Sequence, residues 1–173
     1  MPTAATDVLQ PFQCLPNLNC LEIYACGVRY VVSSEMETVA ILADPFPALE
    51  NLHIRNCQEM SEVISPPASL QAPCFFHGLN YLSIASCPRL THLFSYKQAI
   101  SMQHLSSLSI QECAKLEAVV VSTENKEEAS ASTSTQVVDR ESYNNLSPNL
   151  RHLNLENLPQ LDHCLPSPRS AAH

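Results

Sequence analysis

The sequence predicts an α/β chain: an irregular solenoid with short parallel strands on its concave face and loops and short helices on its convex face. Three observations lead there. A nine-residue pattern, L-x-x-L-x-[IL]-x-x-[CL], occurs five times. Its centre alternates apolar and polar residues with period two, as a half-buried strand requires. The copies recur at intervals of 31, 30, 26 and 45 residues, measured from Cys26 to Leu158, so the chain is an array of similar units.

The copies are LNCLEIYAC from Leu18, LENLHIRNC from Leu49, LNYLSIASC from Leu79, LSSLSIQEC from Leu105 and LRHLNLENL from Leu150. Leu15, Phe46, Phe76, Met102 and Ser147 stand three residues before the first leucines. Met60, Leu90, Leu116 and Leu161 follow three residues after the last position, and Val63, Leu93, Val119 and Cys164 six after it. The first copy fits once a single residue is deleted, which brings Val28 and Val31 into those places. This is a leucine-rich-repeat pattern, with units longer and less even than the usual ~20–29 residues.

Each element follows from this frame. In the first strand Leu21 and Ile23 point inward while Cys20, Glu22 and Tyr24 point outward. No such strand buries its apolar side alone, so neighbours must stack in a parallel ladder. Pro88 and Pro159 are expected at turns that leave the strand in a non-helical direction. Ser34-Glu35-Met36-Glu37 reads as a capping box that opens a convex helix, and Ser95 to Ile100 as a further turn or two. Residues 122–142 are rich in Glu, Ser and Thr and poor in large apolar side chains, which predicts a disordered insert. The resulting division is a leader at 1–11, a repeat domain at 12–165 and a tail at 166–173. With so short a leader, the opening repeat should lack the polar cap that solenoids need, which predicts self-association.

Composition removes several chemistries. There are two glycines in 173 residues, Gly27 and Gly78, so neither a phosphate-cradling loop nor a dinucleotide fingerprint is present. A net charge of −8, from nine basic and seventeen acidic residues, argues against a nucleic-acid partner. No stretch is long and apolar enough to span a membrane, and no secretory signal opens the chain. The setting expected is cytoplasmic, with the eight cysteines reduced.

Cys26, Cys57, Cys87 and Cys113 occupy one slot of the repeat. A ladder of small buried residues explains them better than a functional thiol or metal, and no C-x-x-C pair occurs. Cys20 should face solvent and be the thiol most open to alkylation. Seven scattered histidines show no metal-binding spacing. The expectation is therefore no catalytic residue, no cofactor, no metal and no enzymatic activity.

The stretch FPALENLHIRNC, from Phe46 to Cys57, continues as C-x-x-M-x-x-V to Val63. With CPRLTHLF (Cys87–Phe94), CAKLEAVV (Cys113–Val120) and LPQLDHCL (Leu158–Leu165), it resembles the leucine-rich-repeat region of plant coiled-coil nucleotide-binding disease-resistance proteins. The resemblance covers roughly Phe12 to Leu165. Members of that family are intracellular immune receptors whose nucleotide-binding module switches between ADP and ATP. Their repeat region senses effectors and restrains the switch. This chain carries no P-loop and no coiled-coil heptads, so the resemblance implies only the sensing and restraining half.

The function expected is protein binding in plant defence and innate immunity. The partner would be an effector, a guarded host protein or a receptor's nucleotide-binding domain. Three outward rows would form the face: Cys20, Asn51, Tyr81, Ser107 and His152; Glu22, His53, Ser83, Ser109 and Asn154; and Tyr24, Arg55, Ala85, Gln111 and Glu156. Tyr24, His53, Arg55, Tyr81, Gln111, His152 and Glu156 are the candidate contact residues, with Tyr24, Arg55 and Tyr81 foremost. Two alternatives rank lower. One is a substrate-recognition repeat of a ubiquitin ligase, which would need an adaptor-binding motif that the residues before Phe12 do not supply. The other is a nonfunctional truncated receptor copy.

Overall fold

The computed structural model describes residues 15–32, 44, 46–64, 75–121 and 148–162. Five strands form one parallel sheet in the order β1 (Cys20–Tyr24), β2 (Asn51–Arg55), β3 (Tyr81–Ala85), β5 (Ser107–Gln111) and β7 (His152–Glu156). Two more strands, β4 (His92–Ser95) and β6 (Ala118–Val121), make a second parallel ladder. The helices are short: α1 (Tyr96–Ser101) and α2 (Pro159–Asp162).

The same local code builds each unit. Before the strand, a tight turn closes with Leu49 N–H donating to Phe46 O at 3.1 Å, Leu79 to Phe76 at 3.0 Å and Leu105 to Met102 at 3.3 Å. Within the strand the two alternating apolar residues face inward; Leu52, Ile54, Leu82, Ile84, Leu108 and Ile110 are all buried. After the strand, a second turn closes from Met60 to Cys57, Leu90 to Cys87 and Leu116 to Cys113. Further on, Leu93 and Val119 are buried in the second ladder, and Val31 and Val63 are buried at the corresponding places of the earlier units, beside the Val32–Ile64 bridge.

Between strand and second turn stands one residue with a left-handed backbone: Ala25, Asn56, Ser86, Glu112 and Asn157, with φ between 50° and 57°. The kink aims the first four amides at the next strand. Ala25 N–H donates to Arg55 O (2.9 Å), Asn56 to Ala85 O (3.0 Å), Ser86 to Gln111 O (3.0 Å) and Glu112 to Glu156 O (3.0 Å). This slot would suit glycine, yet neither glycine of the chain has a positive φ. Gly78 lies at a close approach between units instead. A Cβ there would sit 3.4 Å from the carbonyl oxygens of Pro47 and Leu49 in the preceding turn.

The cysteine slot is structural. Cys57, Cys87 and Cys113 are buried, and Cys26 is half-buried. Their thiols donate to the carbonyls two residues earlier: Tyr24, Arg55 and Ala85 at 3.5 Å, and Gln111 at 3.4 Å. The Cys57–Cys87 thiol contact holds Cys87 above, and Cys57 below, the ordinary thiol range; burial adds to the rise at Cys87. Burial is also the main cause that raises Cys113. Phe46 and Phe76 stack with ring centroids 6.2 Å apart and planes 12° apart, filling the slot before the first leucine of their units.

Several expectations are refined here. The turn expected at Ser95 is α1, closed by a full capping box in which Gln98 N–H donates to Ser95 Oγ and Ser95 N–H to Gln98 Oε1. Pro159 departs from the reading of a non-helical exit. It is the first residue of α2, where its fixed φ fits and its missing N–H costs no helical bond. At the opening repeat Ile23 of β1 is buried but Leu15 is 42% exposed, and Leu153 of β7 is 45% exposed as well. The helix expected after Ser34, the insert at 122–142, Cys14, Cys74 and Cys164 lie outside the described residues.

Candidate functional site

The parallel register aligns the outward side chains into three rows. Cys20 pairs with Asn51, Asn51 with Tyr81, Tyr81 with Ser107 and Ser107 with His152. Two residues along each strand lies the row Glu22, His53, Ser83, Ser109 and Asn154. Two further along lies the row Tyr24, Arg55, Ala85, Gln111 and Glu156. Because side chains alternate along a strand, all three rows share one face of the sheet.

The candidate residues fall into two groups on this face. Tyr24, His53, Arg55 and Tyr81 lie on β1 to β3. Tyr24 is 68% exposed, a large aromatic surface held in water. His53 and Tyr81 are half-buried against each other, ring centroids 5.1 Å apart and planes tilted by 41°. Glu22, Ile23, Tyr24, His53 and Arg55 line a shallow pocket of about 230 Å³. Gln111, His152 and Glu156 form the second group on β5 and β7; Gln111 and Glu156 are register partners, while His152 stands opposite Ser107. His152 and Glu156 are exposed and Gln111 half-buried.

Between the groups the face is small and polar. Ser83, read as outward, is only 8% exposed, because neighbours on both sides cover so short a side chain. Asn154 Nδ2 donates to Ser109 Oγ at 3.3 Å, tying β7 to β5. At the strand ends Ser86 Oγ donates to Glu112 Oε2 at 2.6 Å. Elsewhere, exposed Arg89 pairs with Glu59, and His92 Nε2 lies 3.2 Å from Glu62 Oε1, each pair joining consecutive units.

One grouping escaped the motif reading. Cys20, Glu22 and His53 bring thiol, carboxylate and imidazole atoms within 4.8 Å of one another. Each sits in an expected row, but metal motifs are sought within one segment. Here the ligand partners lie 31 to 33 residues apart, and only the β1–β2 register joins them. Among the described residues no helix is long and apolar enough to cross a membrane.

Residues 66–170 match the family model described as plant disease resistance protein RPS2-like, leucine-rich repeats. Neither the curated proteins nor the solved structures gave a match.

Proposed function

Since this chain belongs to the RPS2-like leucine-rich repeats of plant disease resistance proteins, we propose that it is a solenoid whose outward sheet face binds a protein partner in plant innate immunity. Its role is recognition and not catalysis. The partner is an effector, a guarded host protein or the nucleotide-binding domain of a receptor, met in the cytoplasm, where the buried thiols stay reduced.

The observation that carries this reading is the cluster at β1 to β3. Exposed Tyr24, Arg55 beside it in register, and the His53–Tyr81 pair are the residue types that supply binding energy at protein interfaces. They stand on strands held in the parallel ladder, β2 and β3 from both sides and β1 from one, so little ordering entropy is lost when a partner docks. The mixed charge of Glu22, Arg55 and Glu156 suits a polar, specific interface.

The test is site-specific photo-crosslinking in plant cells expressing the chain. A cross-linker at Tyr24 or Gln111 should capture a protein that the same group at Arg89, in the turn between β3 and β4, does not. Alanine at Tyr24, Arg55 and Tyr81 together should abolish capture from Gln111. Equal capture from Arg89, or capture unchanged by the triple substitution, would count against the sheet face.

A further inference from the structure

We propose that Cys20, Glu22 and His53 form a binding site for a zinc-class divalent cation. Cys20 and Glu22 are two residues apart on β1 and so project from the same face. His53 lies directly opposite Glu22 on β2. The three ligand atoms fall within 4.8 Å of one another. Zinc bonds of about 2.0–2.3 Å place tetrahedral ligand atoms roughly 3.5 Å apart, so small side-chain rotations close the site. Both backbones stay fixed by the ladder.

The donor set selects the metal. One thiolate, one imidazole and one carboxylate match zinc, whereas calcium and magnesium prefer oxygen alone. Three protein ligands leave a fourth position for water or for a group on a bound partner. Tyr81 packs against the His53 ring and limits its rotation, as outer partners do at metal sites. Binding converts the Cys20 thiol to a thiolate and releases its proton to solvent. Arg55 repels a cation, but it stands in the row beyond His53, about 6.6 Å further along the strand and away from Cys20.

Cys20 is also the exposed thiol among the described cysteines; Cys57, Cys87 and Cys113 are buried, with their S–H groups turned to backbone carbonyls. A chance meeting of surface side chains would give no link between cation binding and the reactivity of this thiol. A metal site requires one.

The experiment uses the full reduced chain with zinc or cobalt(II), and no protein partner, so its result is separate from the binding-face reading. One metal per chain should bind, and cobalt should give a thiolate charge-transfer band in the near ultraviolet. Cys20→Ser should remove the band, while Glu22→Gln and His53→Ala should each weaken binding by about tenfold or more. In the unsubstituted chain, zinc should slow alkylation of Cys20, followed by mass spectrometry, by a similar factor. A band that survives Cys20→Ser, unchanged affinity in His53→Ala, or an alkylation rate indifferent to zinc would overturn the site.

Discussion

The carboxylate of Asp44 accepts the backbone N–H of Phe76, thirty-two residues away, at 2.7 Å. Its other oxygen accepts Phe46 N–H at 2.9 Å, so one side chain holds the entries of two consecutive units. Phe76 is left-handed there, with φ 61°, and its amide turns towards the acid. The carboxylate side chain is 7% exposed. Asp44→Ala leaves two amides without this acceptor and should cost about 3 kcal/mol, read from chemical denaturation. Asp44→Asn keeps one acceptor oxygen and should lose about half as much. No loss in Asp44→Asn, which keeps the side chain's shape, would mean that packing, not hydrogen bonding, fixes the two turns.

Ala25 is exposed and left-handed. Replacing it by glycine removes a Cβ penalty larger than the entropy glycine adds to the unfolded chain. Ala25→Gly should stabilise the fold by about 0.5–1 kcal/mol. At Glu112 the same change also deletes the acceptor of the Ser86 hydroxyl, so Glu112→Gly should be close to neutral. Thermal melting of the two variants in parallel checks the contrast.

Cys113 is held above the ordinary thiol value of 9.0, mainly by burial. A raised thiol favours the protonated native state, so its contribution is complete below pH 9.0 and is lost as pH climbs beyond it. Cys87, raised chiefly by its contact with Cys57, adds to the same loss above pH 9.0, whereas the lowering at Cys57 acts below it. The urea midpoint should therefore fall above pH 9.0, and Cys113→Ala should flatten that fall while lowering stability at neutral pH. A decline of the same slope in the variant would remove Cys113 as its source.

Leu153, 45% exposed on β7, is an apolar contact point at the outer strand of the sheet. Leu153→Lys should weaken any self-association by about tenfold in sedimentation equilibrium, which corresponds to losing one partly buried leucine. Unchanged association would point to a different contact.

Much of this architecture was readable in the residues because the repeat is periodic. Leu52 and Ile54, or Leu108 and Ile110, must face inward on any strand, and the copies themselves align the strands. The three outward rows of the sheet follow from that alignment. Even the single-residue deletion in the first copy holds. Cys20 pairs with Asn51, an offset of 31, whereas Val32 bridges Ile64, an offset of 32.

What the pattern did not carry were contacts between units made by unrepeated residues. Asp44 lies outside the nine-residue motif, so nothing in it marks the acid as a clamp for Phe76. The left-handed slot was hidden because four different residue types, Ala, Asn, Ser and Glu, fill its five positions, where glycine would have announced it. Pro159 was misread because the same ring that excludes a helix interior suits a helix start. The Cys20–Glu22–His53 cluster needed two strands in register before its parts met.

The two ladders keep separate counts of the chain. One residue gained or lost between Ile23 and Val32 is absorbed on the arc between them, and neither set of strand pairings slips. Length is thus a free variable of each arc, while the spacing of the outward side chains is not. Segments could be spliced from one copy to another, or lengthened, as the 45-residue interval before Leu158 already is, without moving Tyr24 relative to Arg55. The chain behaves as a ruler whose marks stay put while the material between them is rewritten.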